Sequence, residues 1–166
     1  MRFLGKEIVA NNYQQNLPEI AKLLRGRMIT ADATREQFSL AMFDWLNRDK
    51  QIVVSTKIGI FQKPIDATHR YYAKMADLKP WILHFDQADL GIASGKWIIP
   101  AGMGITNANG DFLGALNIGF IIEELNGVIT KALDSNTKFI VLDDNFNLAL
   151  HSLQDDKPKA DHFSFL

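Results

Sequence analysis

Cysteine is absent from this 166-residue chain, and the chain also lacks long apolar runs and an excess of charge of either sign. Without cysteine it has no disulfides, thiolate metal ligands or cysteine nucleophiles. Its 18 basic and 19 acidic residues are interspersed and give a net charge of −1, so no basic stripe is available to neutralise a nucleic-acid backbone. No apolar run reaches the roughly 18 residues of a membrane-spanning helix. The sequence therefore predicts neither nucleic-acid binding nor a membrane span within this chain.

What remains is the composition of a globular domain. Hydrophobic residues make up 47% and charged residues 22% of the chain, and its length fits one domain with a sizeable core. No secretory signal is visible at Met1. The chain is therefore either a cytoplasmic protein or a soluble segment of a longer one, and composition does not choose between the two.

The stretch from Ser94 to Phe120 is the most informative part of the sequence. Two uncharged arms, Trp97 to Thr106 and Phe112 to Ile122, flank a turn that contains Asn109-Gly110. Asn-Gly between apolar runs predicts a β-hairpin, because both residues tolerate the left-handed backbone of a tight turn. The arms carry no nucleophile, paired carboxylate or metal-ligand cluster. This pattern favours a pocket that binds a molecule over one that reacts with it.

The rest of the chain alternates between helical and strand patterns. A 3.6-residue apolar period predicts a helix from Phe3 to Arg27, with a kink or restart at Pro18 and Asn16 as its cap. The other predictions are a helix over Asp32–Met42, a hairpin of Phe43–Asn47 with Gln51–Ser55, a loop and helix over Ile65–Leu78, a strand over Trp81–Phe85, a loop over Asp86–Ser94, a helix over Ile122–Leu133, and strands over Lys138–Leu142 and Leu148–Ser152. This order predicts an α+β fold in which a long N-terminal helix packs on a central antiparallel sheet of five or six strands.

Few residue groups indicate catalysis. Ser135 to Lys138 has the spacing of an acyl-serine motif but lacks its companion elements, and Gly102-Met103-Gly104 is followed by a strand, not by the helix of a dinucleotide-binding loop. Those glycines are more typical of close backbone approach in a sheet. The four histidines are widely scattered. We therefore predict no catalytic residue, no metal ligand and no cofactor. One alternative stays open, in which His84 acts with Asp86 and Asp89 in metal binding or acid–base chemistry.

His69-Arg70-Tyr71-Tyr72 is the best candidate for specific recognition. It places a guanidinium fork and phenol hydroxyls where a loop enters a helix, and arginine binds carboxylates through two parallel hydrogen bonds. The alternative interpretation is a surface salt bridge beside two core tyrosines. Trp81 and Trp97 have a similar ambiguity, since amphipathic aromatic residues line pockets as well as cores.

The order of four motifs resembles that of extracytoplasmic Cache domains, the PAS-like sensor modules of bacterial histidine kinases, diguanylate cyclases and chemoreceptors. Phe43–Ser55 resembles the family's opening hairpin, and Asp66–Tyr72 resembles its arginine followed two residues later by a tyrosine. Trp97–Gly114 and Phe139–Ser152 resemble its central hairpin and closing strands. The resemblance implies a helical stalk over residues 1–34, a sensor domain over 35–152 and a polar tail over 153–166.

The resemblance also implies a small-molecule ligand. In the family, the arginine and tyrosine that match Arg70 and Tyr72 hold a ligand's carboxylate, and an aspartate meets the ammonium of an amino acid. That aspartate position falls at Gly119, with Asn117 nearby, which argues against an amino-acid ligand. A carboxylate without an ammonium, another small polar molecule or no ligand remain. The predicted ligand-binding residues are Arg70, Tyr72, Trp81, His84, Trp97 and Asn117.

Further implications concern the longer protein. The resemblance places this chain in the periplasm as the extracytoplasmic part of an inner-membrane receptor, with its membrane helices and a kinase or cyclase module outside the chain and Met1 as an expression start. The first helix would transmit the signal, and a homodimer is left open. Two alternatives remain: a ligand-free interaction module with a pocket filled by Trp81, Met103 and Trp97, and a small cytoplasmic enzyme acting through His84 and Asp86.

Overall fold

An antiparallel sheet forms the centre of the chain. The structure is a computed structural model and describes residues 1–28, 41–133, 137–142 and 148–151. The helices are α1 (Arg2–Ala10), α2 (Leu17–Met28), α3 (Tyr71–Leu78) and α4 (Ile122–Ala132). The strands are β1 (Ala41–Leu46), β2 (Gln51–Ser55), β3 (Gly59–Asp66), β4 (Leu83–Phe85), β5 (Asp89–Leu90), β6 (Trp97–Thr106), β7 (Phe112–Ile121), β8 (Ile140–Leu142) and β9 (Leu148–His151). No helix among these residues is long and apolar enough to cross a membrane.

The strand order is β3-β2-β1-β7-β6-β4, with β5 added to β6, and β8 and β9 pair separately. The predicted central hairpin is confirmed as β6 and β7. Its turn is held by the side chain of Asn107, whose Oδ1 accepts hydrogen bonds from the backbone N–H groups of Asn109 and Asp111, each at 2.9 Å. Gly110 adopts a left-handed φ of 86° there, which explains the glycine. The predicted α+β class with a central antiparallel sheet is likewise confirmed.

The two faces of the sheet are covered by different elements. Since successive strand residues point to opposite faces, each strand contributes to two cores. Helices α1 and α2 cover one face, in a core that includes Leu4, Ile8, Ile20, Leu24, Trp45, Met103, Ile105 and Leu116. Helix α3 covers the other face, in a core of Leu46, Ile52, Ala67, Tyr72, Ala73, Ala76 and Ala115. The pocket described below lies on this second face.

The N-terminal helix is divided. Helix α1 ends at Ala10, Asn12 adopts a left-handed φ of 54°, and a 3-10 turn leads to α2. The predicted restart near Pro18 is confirmed, and the Asn16 side chain accepts a hydrogen bond from the backbone N–H of Glu19 at 3.4 Å. The break begins earlier than predicted because asparagine tolerates the left-handed conformation. The predicted Asp32–Met42 helix lies largely outside the described residues, and its last two positions belong to β1.

Two strands were not predicted, and the strands predicted from Trp81 and from Lys138 each begin two residues later than predicted. Strand β3 lies at the sheet edge and is mostly exposed, so it lacks an alternating apolar pattern, and it contains Pro64, which an edge strand tolerates. Strand β5 spans only two residues inside the predicted Asp86–Ser94 loop. The predicted strand over Trp81–Phe85 begins at Leu83, because Trp81 adopts a left-handed φ of 63°.

Glycine allows α3 to approach β6 closely, whereas the sequence predicted a close backbone approach within the sheet. A Cβ atom at Gly104 would overlap the backbone carbonyl of Ala76 in α3. A Cβ atom at Gly102 would lie 2.6 Å from Cδ2 of the Tyr72 ring. These two glycines therefore fix how near the start of α3 comes to the sheet, and that distance positions Arg70 and Tyr72.

Candidate ligand-binding site

A pocket lies on the α3 face of the sheet, between the middle strands, the start of α3 and residues 89–93. It is a partly open concavity, and its empty space together with the solvent at its mouth amounts to about 340 Å³. It is lined by Met42, Asp44, Ile52, Arg70, Tyr72, Asp89, Leu90, Gly91, Ile92, Ala93, Ile98, Pro100 and Asn117. Apolar side chains predominate in this lining, and the polar groups are concentrated in two places.

The first polar group is a row across the sheet floor. Asp44 on β1 is directly opposite Ser55 on β2 and Asn117 on β7, so the three side chains share a face. Asp44 and Asn117 are each only 2% exposed. The Asn117 side-chain N–H donates to Asp44 Oδ2 at 3.0 Å. Neither Asp44 Oδ1 nor Asn117 Oδ1 has a hydrogen-bond partner among the described residues.

The carboxyl group of Asp44 is electrostatically unusual. Burial raises its pKa from 3.8 to about 6, although the Ser55 hydroxyl and the Asn117 amide lower it in part. Desolvation disfavours the charged form of an acid, which accounts for the direction of the shift. At neutral pH the group still carries its negative charge. A buried carboxylate therefore faces the pocket with one oxygen unbonded.

The second polar group is at the start of α3. Arg70 occupies the N-cap position, and its guanidinium forms an ion pair with Asp89 Oδ2. The Arg70 side chain is 15% exposed and that of Asp89 is 48% exposed. Asp86 Oδ2 accepts the backbone N–H of Tyr71 at 2.8 Å, which satisfies one of the free donors of the first helical turn. Two acidic side chains thus attach residues 86–89 to α3, and Arg70 already holds a carboxylate from its own chain.

Tyr72 forms a wall between these two groups. Its side chain is buried against Gly102, and its pKa is raised, first by burial and next by the nearby charge of Asp44. A raised pKa keeps the phenol neutral at physiological pH. Its hydroxyl group can therefore both donate and accept a hydrogen bond.

Comparison with solved structures relates this architecture to sensor domains. The ligand-binding domain of the Campylobacter jejuni chemoreceptor Tlp3, solved with 4-methylisoleucine, has 16% identity and a TM-score of 0.64, covering 92% of this chain and 59% of that one. The Pseudomonas fluorescens chemoreceptor CtaA with L-alanine has 16% identity and a TM-score of 0.60, covering 90% and 62%. The sensor domain of the V. cholerae histidine kinase DctB has 12% identity and a TM-score of 0.60, covering 90% and 53%.

The chain has the fold of Cache, or PAS-like, sensor domains. The fold that the sequence motifs implied is therefore confirmed. No protein-family model and no curated relative match the sequence. The chain spans about three fifths of the length of the Tlp3 and CtaA domains.

The pocket on the α3 face contains three of the six predicted ligand-binding residues. Arg70, Tyr72 and Asn117 line it together. His84 shares this sheet face, directly opposite Gly102, but its Nε2 lies 3.2 Å from the Lys79 carbonyl and its ring meets Tyr71 edge-on. It is therefore outside the pocket.

The two tryptophans are also outside the pocket. Trp81 packs against the α1–α2 core and donates its indole N–H to Thr106 Oγ1 at 2.9 Å. Trp97 precedes the pocket residue Ile98 in β6, so alternation directs its side chain to the opposite face. Met103, the third residue of the filled-pocket alternative, belongs with Trp81 to the α1–α2 core. These residues do not fill the pocket.

Of the two acidic pocket residues, Asp44 was missed at the sequence level, and Asp89 was named only in the alternative with His84 and Asp86. Asp44 stands inside the otherwise apolar run Ala41–Leu46, and a charge within a predicted core strand was the available signal. Asp89 gave no such signal, because acids are common in loops. Among the described residues, no three histidine or acidic side chains lie close enough to hold a metal ion.

Proposed function

We propose that this chain is an extracytoplasmic sensor domain of a membrane signalling receptor and binds a small polar molecule in the α3-face pocket. The observation that carries the proposal is the pocket itself, a partly open concavity with apolar walls, a buried acid with a free oxygen, and an arginine. Small-molecule sites are mostly apolar and contain a few well-placed polar groups. The Cache fold supports the same class of function, since the Tlp3 and CtaA domains were solved with amino acids bound.

The proposal extends to a longer receptor. Membrane helices on either side of the domain, and a histidine kinase, diguanylate cyclase or chemotaxis module, would complete the protein. We also propose that the domain is extracytoplasmic, that it transmits its signal to the membrane, and that it forms a homodimer. The DctB sensor domain, from a histidine kinase, supports the kinase version.

Signalling would follow from exchange of an internal ion pair. Arg70 is the cation suited to a ligand carboxylate, and in the free domain it is held by Asp89. A ligand carboxylate that replaces Asp89 on Arg70 would release Asp89, which belongs to the strand β5 that pairs with β6. Such a ligand shifts the population between two arrangements of residues 86–94 because it binds one of them better.

Arg70 variants test this proposal. A thermal-shift screen of small acids, amines and amino acids is expected to find a stabilising compound, and Arg70→Ala is expected to weaken its binding. If the compound contains a carboxylate, the loss is about ten- to a hundredfold, since a hydrogen bond to a charged group is worth about 1.5–3 kcal/mol. Arg70→Lys recovers only part of the affinity because an ammonium cannot form the planar fork. Tyr72→Phe removes only a hydroxyl group and weakens binding less.

The control for this series is Arg48→Ala, which removes an exposed arginine in the β1–β2 turn. Arg70→Ala also leaves Asp89 unpaired, so we expect it to lower the free energy of unfolding by about 1 kcal/mol, the usual range for partly exposed ion pairs. A screen without any stabilising compound would contradict the proposed function. If folded Arg70→Ala bound a carboxylate compound with unchanged affinity, Arg70 would not be a ligand-binding residue.

A further inference from the structure

A compact loop, residues 89–96, closes one side of the pocket, and its residues Gly91 and Ala93 belong to the pocket lining. The ends of its tip meet, because the backbone N–H of Gly91 donates to the Lys96 carbonyl at 2.8 Å. The Ser94 hydroxyl lies between them and accepts the backbone N–H of Lys96 at 3.1 Å. Compact loops whose ends are close keep their own shape, so the 89–96 loop can move as a unit.

The 89–96 loop is anchored to the rest of the protein by one cation near each end. Near its start, Asp89 pairs with the Arg70 guanidinium. Near its end, the backbone carbonyl of Ser94 accepts a hydrogen bond from Nζ of Lys57 at 2.7 Å. Lys57 lies in the β2–β3 turn, 37 positions away along the chain, so this contact joins two distant elements. Its charged donor makes it stronger than a hydrogen bond between neutral groups.

Apolar packing holds the loop only weakly. Ala93 is 8% exposed and packs with the buried side chains of Met42 and Ile98. The larger apolar side chains of the loop, Leu90 and Ile92, are 50% and 49% exposed. Segments that bury little apolar surface open at a low free-energy cost. The two cationic anchors are therefore a large part of what keeps the loop closed.

We propose that Lys57 is a positioning residue that holds the 89–96 loop closed over the pocket and so sets the rate at which a small molecule enters and leaves. This inference rests on the proposed sensor function and assigns a control of the same site. Passage into a covered pocket requires the loop to open, so entry and release both scale with the fraction of open loops. Loss of the Lys57 contact therefore speeds both steps and changes the affinity less.

The absence of cysteine from the chain makes loop opening measurable without any ligand. Ala93→Cys introduces one thiol at the buried position of the loop, where N-ethylmaleimide reaches it only after the loop opens. Ala108→Cys introduces the same thiol at an exposed position in the β6–β7 turn. Labelling followed by mass spectrometry is expected to be slower in Ala93→Cys by about tenfold or more, because a buried group reacts only through opening.

Substitutions at Lys57 in the Ala93→Cys protein test the anchor itself. Lys57→Met keeps the aliphatic stem and removes the ammonium, so it should raise the labelling rate about tenfold, the effect of losing a partly exposed hydrogen bond to a charged group. Lys57→Arg keeps a charged donor and should return the rate close to its original value. Lys63→Met makes the same change as Lys57→Met at an exposed lysine of β3 and should leave the rate unchanged. Urea unfolding of each protein is expected to show nearly equal global stability.

Three results would overturn the inference. Equal labelling of Ala93→Cys and Ala108→Cys would show that the loop does not cover this position. An unchanged rate after Lys57→Met would show that the contact with the loop does not hold it closed. A rate that rises only as far as global stability falls would show that unfolding, not loop opening, exposes the thiol. Each of these leaves the proposed sensor function standing, because that function is tested separately by the compound screen and the Arg70 variants.

Discussion

Asp44→Asn is expected to raise the free energy of unfolding of the unliganded protein by about 2–3 kcal/mol at pH 7.5 and to change it little at pH 4. The reason is that the folded protein buries a charged carboxylate whose pKa is raised from 3.8 to about 6. Each pKa unit corresponds to about 1.4 kcal/mol of differential stability. The neutral amide avoids this cost and keeps the shape of the side chain.

The pH dependence has a definite sign. The unfolded chain loses the Asp44 proton near pH 3.8, and the folded protein keeps it until about pH 6, so the folded state binds more protons in this window. The contribution of Asp44 to the free energy of unfolding is therefore fully present below pH 3.8 and is lost as the pH rises through about 6. Urea unfolding of both proteins from pH 4 to 8 measures the difference. If the free energy of unfolding changed with pH in the same way for the unmodified protein and for Asp44→Asn, the claim that folding buries a charged Asp44 would be contradicted.

Gly104→Ala is expected to destabilise the protein by about 3 kcal/mol or more. The added Cβ atom would overlap the Ala76 carbonyl of α3, and a backbone group cannot move aside as a flexible side chain can. Helix α3 would have to shift away from β6. Since α3 begins beside Arg70 and contains Tyr72, ligand affinity should fall together with stability. Urea unfolding and calorimetric titration measure the two effects.

The matched control is Gly127→Ala in helix α4. A Cβ atom there would meet nothing within 4 Å, and alanine is the better helix former by about 0.8–1 kcal/mol. The same substitution should thus stabilise the protein in α4 and destabilise it in β6. If Gly104→Ala were as stable as the unmodified protein, the close contact between α3 and β6 would be absent.

The central hairpin could be predicted from sequence because its signals are local. Asn109-Gly110 lies between two uncharged apolar arms, so the signals for the turn and for both strands lie within a short stretch. Strand β3 gave no comparable signal, since an exposed edge strand with a proline needs no apolar alternation. Its position depends on pairing with β2, which local patterns do not encode.

The candidate site was predictable only in part. Arg70 and Tyr72 were predicted from their position where a loop enters a helix and again from family resemblance, Asn117 from the resemblance alone, and all three line the pocket. The opposition of Asp44 and Asn117 joins residues 73 positions apart, so it depends on the register between β1 and β7. The tryptophans were considered for the pocket because aromatic residues often line ligand sites. Strand alternation instead directs Trp97 to the opposite face of the sheet. The left-handed backbone at Trp81 ends the strand there, and its ring packs against the α1–α2 core.

A destabilising acid in the sheet has a functional explanation. Replacing a buried charged group by a neutral one of the same shape is expected to gain stability, and proteins retain such residues where function requires them. Under the proposed function, a hydrogen-bond donor of the ligand would satisfy the free oxygen of Asp44. Asp44 would then destabilise the free domain and stabilise its complex with the ligand.

The measurement that tests the central claim most directly is calorimetric titration of the best compound from the screen into two alanine-to-leucine variants. Ala93→Leu places a larger side chain into the pocket, where Ala93 is part of the lining. Ala108→Leu makes the same change at an exposed position in the β6–β7 turn. The account predicts that binding is lost in Ala93→Leu and unchanged in Ala108→Leu, with both variants folded. Full binding by a folded Ala93→Leu variant would show that the ligand binds elsewhere and would contradict the account.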